Sequence, residues 1–409
     1  MENNKSSSDK KLKILFLTAR FPYPVIGGDR LKPHNIISYL AKKHDVTLVS
    51  FFHGGTPPKS YVREVEKLGV RLVTVPLYPA KAGLNSLKRL FTKYPLEILF
   101  YLQPEYKKTI DALIETENFD LAVAFFMRTA EYLKEKPIKK ILMAEDCRTL
   151  YQKRSYEQSE NLKQKIVRYW EYKKLSGYEP EVPDYFDITT FVTKVDISEM
   201  TKLNPNAQYR LLTNGTDLEK FTLPEENTKR RGILFAGKLD VWANQLMIRD
   251  IVHNIFPKIN KNIPDAELNI VGAKPPQSIQ KLAGKNINII SDVPEMQPYL
   301  QKAQLFLHPH NGGTGIQNKL LEAMACGCPV VTTPTGNQGI DGTSGTHLMI
   351  GKNQDELARH AIRILKDQDL AMNISANARK LIEETHSWEI IFRDTDRIIE
   401  GLFNQERPE

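Results

Sequence analysis

The sequence predicts an α/β fold in which two doubly wound domains face each other across a cleft. Three observations predict it. The chain has 409 residues, 41% of them hydrophobic, enough for the cores of two ordinary domains. Short β-branched runs alternate with longer amphipathic runs, which is typical of parallel βα units with strands buried on both faces. The alternation occurs twice, with a break between. Such sheets bind ligands at the carboxyl ends of their strands.

The first series of elements follows a polar tail over residues 1–10, which we expect to be disordered. Its predicted strands are Ile14–Thr18, Val46–Phe51, Arg71–Val75, Leu121–Phe126, Lys140–Ala144, Ile188–Val192 and Tyr209–Leu212. Its predicted helices are Leu31–Lys42 and Val62–Leu68, and Tyr151–Glu181 is a long, charged, helix-prone stretch without strand signals. Together they predict an N-terminal domain over residues 11–210.

The second series follows a polar segment around residues 205–230, which contains an Asn-Gly turn and Pro224 and marks the domain boundary. Its predicted strands are Gly232–Ala236, Glu267–Val271, Ile287–Ile290, Leu305–Leu307 and Pro329–Thr332. Its predicted helices are Leu246–Ile259, Lys319–Cys326 and Asp355–Lys366. We therefore predict a C-terminal domain over residues 211–386.

The net charge of +8 comes from the first half of the chain, because residues 1–200 hold 33 Lys/Arg against 25 Asp/Glu and the remainder holds 24 against 24. This half suits a polyanionic partner, either a phosphate-bearing acceptor or an anionic membrane surface. An ordinary basic surface that maintains solubility is an equal alternative. Three cysteines are too few for a disulfide framework, so we expect a cytoplasmic protein, with the inner face of the cell membrane as a second location.

A paired-glycine turn, Gly27-Gly28, lies between the first predicted strand and the first predicted helix. Glycines at such a turn let the backbone approach a ligand, and the N–H groups of the next helix favour an anion. The same pair is equally common as a purely structural device.

Gly237-Lys238 lies in the corresponding place of the second series, after the strand Gly232–Ala236. A lysine there can neutralise the diphosphate leaving group, where charge develops when a glycosidic phosphate bond breaks. The alternative is a solvated surface lysine.

The third motif is a glycine-rich loop, Gly312-Gly-Thr-Gly315, followed by a predicted helix that carries Lys319 and Glu322. The loop and the helix N-terminus suit phosphate oxygens. Lys319 and Glu322 are three residues apart and share a helix face, so the lysine can contact phosphates while the carboxylate accepts hydrogen bonds from ribose. A surface ion pair is the competing interpretation.

Four motifs occur in order along the chain: Leu212-Thr-Asn-Gly-Thr-Asp-Leu-Glu-Lys-Phe221, Phe235-Ala-Gly-Lys238, Asn269-Ile-Val-Gly272 and Leu320-Leu-Glu-Ala-Met-Ala-Cys-Gly-Cys-Pro-Val-Val331. In combination they resemble glycosyltransferase family 4, whose members are retaining enzymes with two Rossmann-like domains, the GT-B fold. The resemblance extends from about Lys13 to the C-terminus, and the Gly27-Gly28 turn looks like the family's first glycine loop.

Two departures from the family pattern concern the donor. The family's Glu-x7-Glu motif keeps only its second glutamate, Glu322, because Thr314 stands at the first position. The family's Arg and Lys diphosphate pair is altered to Lys238 and Asn244, and Lys319 supplies a further charge. The segment around Lys319 resembles a divergent branch of exopolysaccharide-type sugar transferases.

The resemblance implies a metal-independent hexosyltransferase that binds a nucleotide-diphosphate sugar in its second domain and a glycan or lipid-linked acceptor in its first. No cofactor and no nucleic-acid partner are expected. The last helix, within 387–409, is expected to cross back to the N-terminal domain. The residues expected to bind the donor are Gly27, Gly28, Gly237, Asn244, Gly272, Val293, His310, Gly313, Thr314, Gly315 and Ile316. Those expected to act in catalysis are Lys238, Lys319, Glu322, Asp146 and Arg128.

Arg128 and Asp146 are included because each follows a predicted strand of the first domain, where an acceptor would bind. An amphipathic stretch from Leu84 to Ile98 with interleaved Lys88, Arg89 and Lys93 either docks on a membrane or packs as a core helix with a basic solvated face.

Two other functions remain open. A nucleotide-sugar epimerase would share the fold, although the missing carboxylate at Thr314 does not favour it. A non-catalytic partner subunit that binds glycan or nucleotide is compatible with the same loss.

Overall fold

The computed structural model of this chain describes residues 11–159 and 161–404, so the predicted tail over residues 1–10 lies outside the described residues. The chain divides into two compact units. The first contains the described residues up to Leu212 together with the chain from Phe392 onward, and the second contains Thr213–Ile391. The predicted boundaries were 210/211 and 386/387.

The first unit contains a seven-stranded parallel sheet in the order β3-β2-β1-β4-β5-β6-β7. Its strands are β1 (Lys13–Thr18), β2 (Asp45–His53), β3 (Arg71–Leu77), β4 (Leu121–Phe125), β5 (Lys139–Glu145), β6 (Ile188–Phe191) and β7 (Tyr209–Leu211). β1, β4 and β6 are buried almost throughout, as expected for strands covered by helices on both faces.

The helices of the first unit pack on this sheet. They are α1 (Gly28–Ala41), α2 (Lys59–Glu66), α3 (Pro79–Lys88), α4 (Leu96–Tyr101), α5 (Pro104–Thr116), α6 (Arg148–Glu157), α7 (Leu162–Tyr178) and α8 (Lys194–Leu203). The helix-prone stretch Tyr151–Glu181 contains most of α6 and all of α7. Asn161 starts a new helix, because its side chain accepts hydrogen bonds from the backbone N–H groups of Lys163 and Gln164.

The second unit contains a six-stranded parallel sheet in the order β10-β9-β8-β11-β12-β13. Its strands are β8 (Ile233–Ala236), β9 (Leu268–Gly272), β10 (Ile287–Ser291), β11 (Leu305–His308), β12 (Val330–Thr332) and β13 (Met349–Ile350). Its helices are α9 (Trp242–Asp250), α10 (Phe256–Asn262), α11 (Gln277–Gln280), α12 (Gln297–Lys302), α13 (Asn318–Ala325), α14 (Gln354–Lys366) and α15 (Gln368–Thr385).

The predicted helix over Leu246–Ile259 is interrupted by a π-helical turn at Ile251–Ile255, between α9 and α10. Pro257 follows this turn and has no N–H group to give to the regular hydrogen-bond ladder, which explains the local change of pitch.

The last helix, α16 (Trp388–Asn404), belongs to both units, since the division falls after Ile391. From Phe392 it packs on α1, where the Phe392 ring stacks on Tyr39 and the Asp396 carboxylate lies 2.6 Å from the Lys43 amine. The two parallel, Rossmann-like sheets confirm the predicted fold class. Among the described residues no helix is both long and apolar enough to cross a membrane.

Candidate functional site

In the second unit, the carboxyl ends of β8 and β9 come unusually close. A Cβ atom added at Gly272 would lie 1.7 Å from the carbonyl oxygen of Gly237, so only glycine fits at this position. A Cβ atom at Gly237 would lie 2.9 Å from the Asn244 amide nitrogen and 3.2 Å from the Lys319 amine. The two glycines predicted at the donor site therefore create a tight backbone corner beside Lys319.

Asn244, on α9, joins this corner to α13. Its side-chain amide donates to the carbonyl oxygen of Lys238 at 2.8 Å, and its amide oxygen accepts from the Lys319 amine at 3.1 Å. Asn244 is buried. It thus holds the loop after β8 and orients the Lys319 amine at the same time.

Lys319 and Glu322 lie on the first two turns of α13 and have shifted pKa values. Burial lowers the pKa of Lys319 to about 8, although Glu322 acts in the opposite direction. Burial raises the pKa of Glu322 to about 7, against the influence of Lys220 and Lys319. Within the described part of the chain no carboxylate lies within ion-pair distance of the Lys319 amine, so the surface ion pair considered above does not form.

The glycine-rich loop leads into the N-terminus of α13. Gly313 and Gly315 have φ values of 92° and 70°, which favour glycine. The side chain of the N-cap residue, Gln317, accepts no hydrogen bond from the helix, and the first turn has no acidic residue. Thr314 is half-buried between the two glycines. The N-cap side chain therefore does not occupy the N–H groups in the first turn of α13. An anion site at a helix start requires this, because the anion binds those N–H groups.

Two other predicted donor contacts, Ile316 and Val293, are half-buried and pack against the apolar cluster beneath α13. Their contribution in this structure is to support the loop and the helix. Donor contact through them stays a prediction.

The histidines after β11 are packed inside the unit. His308 is fully buried, stacks against Phe306 and His310, and burial drives its pKa well below 6.5. His310, the predicted donor contact, is also buried, and its carbonyl oxygen accepts a hydrogen bond from the Thr333 hydroxyl. Both rings therefore contribute to packing below the glycine-rich loop.

The side chain of Lys238 is exposed, unlike that of Lys319. The structure brings together Gly237, Gly272, Asn244 and Lys319, and Lys238 contributes to this group through its carbonyl oxygen. Charge neutralisation by the Lys238 amine stays a prediction.

The Thr-Asn-Gly-Thr-Asp segment at the start of the second unit packs against α13 and the start of α16. The Asn214 amide donates to the Asn318 side chain at 2.8 Å, and Thr216 donates its N–H to the His386 carbonyl at 2.7 Å. A Cβ atom at Gly215 would lie 2.5 Å from the Trp388 ring. This motif therefore fixes the first residue of α13.

In the first unit, the paired-glycine turn caps α1. Gly27 has a φ of 94° and is the N-cap residue, and Gly28 is the first helical residue. Both are exposed, and Asp29 in the first turn pairs with Arg20 at 2.8 Å. The turn lies at the carboxyl end of β1, and donor contact there stays a prediction.

Arg128 and Asp146 belong to a charged cluster that sequence reasoning did not find. Glu97 on α4 lies 2.5 Å from Arg128 and 2.9 Å from Arg148, and Arg148 lies 3.3 Å from Asp146. Burial alone would raise the pKa of Glu97, but Arg148 and Arg128 hold it at about 2. Glu179 extends the cluster, since its carboxylate accepts from the backbone N–H groups at the start of α6.

The partners within this cluster are far apart in sequence, and no local pattern marks Glu97 or Glu179. The only signal was that Arg128 and Asp146 each follow a strand. Because both are engaged in ion pairs, their catalytic function stays a prediction.

Comparisons with known proteins agree with this fold. Residues 230–367 match the family model described as Glycosyl transferases group 1. The chain is 22% identical over 406 residues to an uncharacterized 44.6 kDa protein in the cps region of Klebsiella pneumoniae, covering 96% of this chain and 99% of that protein. It is 26% identical over 237 residues to a GDP-mannose-dependent monoacylated α-(1-6)-phosphatidylinositol monomannoside mannosyltransferase of Corynebacterium glutamicum, 53% of this chain and 62% of the relative.

Two solved structures illustrate the fold. Sucrose-phosphate synthase from Thermosynechococcus elongatus superposes with a TM-score of 0.69 at 17% identity, covering 97% of this chain and 100% of that one. Anabaena HepE in complex with UDP and glucose superposes with a TM-score of 0.66 at 14% identity, covering 95% and 100%.

Two parallel Rossmann-like sheets, with the family match over most of the second, define a two-domain glycosyltransferase of the GT-B fold. The second unit therefore carries a group 1 glycosyl transferase domain, and the chain is similar to a curated mannosyltransferase over about half of its length.

Proposed function

We propose that this protein transfers a sugar from a nucleotide-diphosphate sugar to a glycan, lipid-linked or other acceptor, with retention of anomeric configuration. The second unit binds the nucleotide diphosphate. Lys319 neutralises the leaving diphosphate, Glu322 accepts hydrogen bonds from ribose hydroxyls, and the glycine corner lets the backbone approach the ligand. Neither a metal ion nor another cofactor takes part.

The observation that carries this proposal is the position of the Lys319 amine. It lies against Gly237, receives its orientation from Asn244 at 3.1 Å, and has no carboxylate partner among the described residues. A half-buried cation without a carboxylate at ion-pair distance is costly, and a diphosphate would supply that partner. The similar structure of Anabaena HepE, which holds UDP and glucose, supports this donor class.

The decisive substitution is Lys319→Met, which keeps most of the side-chain volume and removes the charge. We expect it to raise the Kd for the nucleoside diphosphate about 30-fold, equivalent to about 2 kcal/mol of charge-assisted hydrogen bonding. Isothermal titration with UDP and GDP measures this. Lys319→Arg should recover part of the affinity.

A matched control is Lys261→Met on α10, which removes an exposed lysine of the same unit and should leave the Kd unchanged. Turnover is followed as diphosphate released from a panel of nucleotide sugars, with and without EDTA. The proposal fails if Lys319→Met binds and turns over donor as the wild type does. A product with inverted sugar configuration at the transferred sugar would contradict retention.

The same panel separates the alternatives. A partner subunit would bind nucleotide or glycan without releasing diphosphate in the presence of any donor. An epimerase would return an isomerised nucleotide sugar in the absence of acceptor. A transferase releases diphosphate, faster when a suitable acceptor is added.

A further inference from the structure

One surface of the first unit holds an unusual density of exposed apolar side chains. Eight of the nineteen exposed large hydrophobic side chains in the described chain lie within residues 84–93 and 161–174. They are Leu84, Leu87, Phe91, Leu162, Ile166, Val167, Tyr169 and Trp170. Phe91 is 88% exposed, Leu87 65% and Ile166 61%. Single exposed apolar residues need no explanation, but a contiguous group of this kind marks an interaction site.

The two segments form one surface. The Phe91 and Trp170 rings meet edge to face with their centroids 6.4 Å apart, and the Lys174 amine donates to the Thr92 carbonyl. Along α7, Leu162, Ile166 and Trp170 recur every four residues and so share a helix face. We call residues 84–93 and 161–174 the apolar-basic surface.

The structure divides the stretch from Leu84 to Ile98 into an exposed part and a buried part. Ile98 is buried in the core of the unit, whereas Leu84, Leu87 and Phe91 face solvent. The stretch is thus not one helix: α3 ends at Lys88 and α4 begins at Leu96. Its first half is exposed together with α7.

The excess of basic residues on this surface indicates an anionic partner. The two segments hold eight basic residues, namely Lys88, Arg89, Lys93, Lys163, Lys165, Arg168, Lys173 and Lys174. They hold one acidic residue, Glu171, which is buried and accepts hydrogen bonds from the backbone N–H groups of Leu96 and Glu97. Cations interleaved with exposed Phe, Trp and Leu side chains fit an anionic membrane interface, where aromatic rings insert at headgroup depth and cations bind lipid phosphates.

We propose that the apolar-basic surface docks this protein on an anionic lipid membrane. Phe91, Leu87 and Ile166 enter the boundary between headgroups and acyl chains, and the lysines and arginines bind the headgroups. The inference goes beyond donor binding and does not depend on it, because every residue involved lies in the first unit.

Flotation with lipid vesicles tests the proposal. The full-length protein should float with phosphatidylcholine vesicles that contain phosphatidylglycerol, bind pure phosphatidylcholine vesicles far less, and lose binding as salt rises. The triple variant Leu87→Ser, Phe91→Ser, Ile166→Ser should lower the vesicle partition coefficient roughly 100-fold. The charge variant Lys88→Glu, Arg89→Glu should lower it more than about 20-fold.

Two matched controls change the same residue types elsewhere. Met372→Ser removes an exposed apolar side chain of α15, and Lys281→Glu reverses an exposed charge of the second unit. Both should float as the wild type does. Because the substituted side chains are already exposed, all variants should keep the wild-type melting temperature and UDP affinity, which separates failure of docking from failure of the proposed donor site.

Trp170 reports on the contact directly. The chain has three tryptophans, and the Trp242→Phe background leaves Trp170 in the first unit and Trp388 in the second. Anionic vesicles should shift the tryptophan emission of this variant to shorter wavelength as Trp170 enters the interface. The proposal is overturned if the wild type does not float with anionic vesicles, or if the triple and charge variants float equally well. It is also overturned if the wild type is a dimer in which the triple variant dissociates and neither binds vesicles.

Discussion

Burial and, in the opposite direction, the Glu322 carboxylate determine the pKa of Lys319. Sequence reasoning identified Lys319 and Glu322 from their spacing on one predicted helix, and the structure adds the partner, Asn244, which holds the amine at 3.1 Å. That partner could not be predicted as such, because Asn244 is 75 residues away and its orientation depends on the close approach of Gly237. The exposed position of Lys238 was equally out of reach of a local pattern.

The pKa of Lys319 predicts how donor binding depends on pH. Because this pKa is lowered to about 8, the amine loses its charge as pH rises through that value. A diphosphate binds the charged form, so binding at higher pH must include proton uptake. We expect the Kd for UDP or GDP to rise above about pH 8, by up to about tenfold per pH unit. Titration calorimetry in buffers of different ionisation enthalpy measures both the Kd and the protons taken up.

Lys319→Arg is the control for this profile, since arginine stays charged throughout. Its affinity should not fall between about pH 8 and about pH 9. An identical alkaline loss in Lys319→Arg would show that another group titrates.

Gly272→Ala tests the close approach of β9 to the loop after β8. The added methyl group would lie 1.7 Å from the Gly237 carbonyl oxygen, so the backbone must move. We expect a loss of about 3 kcal/mol in unfolding free energy and weaker nucleotide binding. Gly284→Ala is the matched control, because nothing lies within 4 Å of its added Cβ. Denaturant unfolding of both variants measures these free energies. Equal unfolding free energies for Gly272→Ala and Gly284→Ala would contradict the close approach of Gly272 to Gly237.

At the scale of elements, the position of α4 depends on ion pairs rather than on apolar packing alone. Glu97 in α4 forms ion pairs with Arg148 at the start of α6 and with Arg128 in the segment after β4. The strands around this cluster were predictable from β-branched runs, and the short helix α4 was not, because its six residues are too few for a periodic pattern.

Glu97→Gln should therefore destabilise the first unit. Removing the carboxylate leaves the partly buried Arg128 guanidinium without its carboxylate partner and leaves Arg148 with Asp146 alone, which costs about 3–5 kcal/mol. Because the pKa of Glu97 is lowered in the folded protein, the ion pairs stabilise the wild type fully above about pH 4.5. This stabilisation is lost as pH falls toward about 2. Thermal melts across this range should show the wild type converging on the variant at low pH.

Glu105→Gln provides the control. Glu105 pairs with Lys81 at 3.4 Å on the exposed surface, so its substitution should change stability by less than about 1 kcal/mol. Equal losses in the two variants would contradict a special function of the Glu97 cluster.

For the whole molecule, the two series of alternating strands and helices were enough to predict two parallel sheets. Buried β-branched strands that alternate with amphipathic helices form few other kinds of fold. The helical character of Tyr151–Glu181 was predictable from its sequence, whereas its division into α6 and α7 depends on the capping by Asn161. Only the first segment of the apolar-basic surface, residues 84–93, was identified from the sequence as a possible membrane contact. Its second half on α7 required the three-dimensional contact between Phe91 and Trp170.

The central claim is that the second unit binds a nucleoside diphosphate at Lys319. A crystal structure of the protein with UDP or GDP tests it most directly. We predict that a phosphate oxygen lies within hydrogen-bond distance of the Lys319 amine, beside Gly237 and the start of α13, with ribose near Glu322. A well-defined nucleotide bound elsewhere, for example at the arginines around Glu97, with the Lys319 amine still bonded only to Asn244, would contradict the claim.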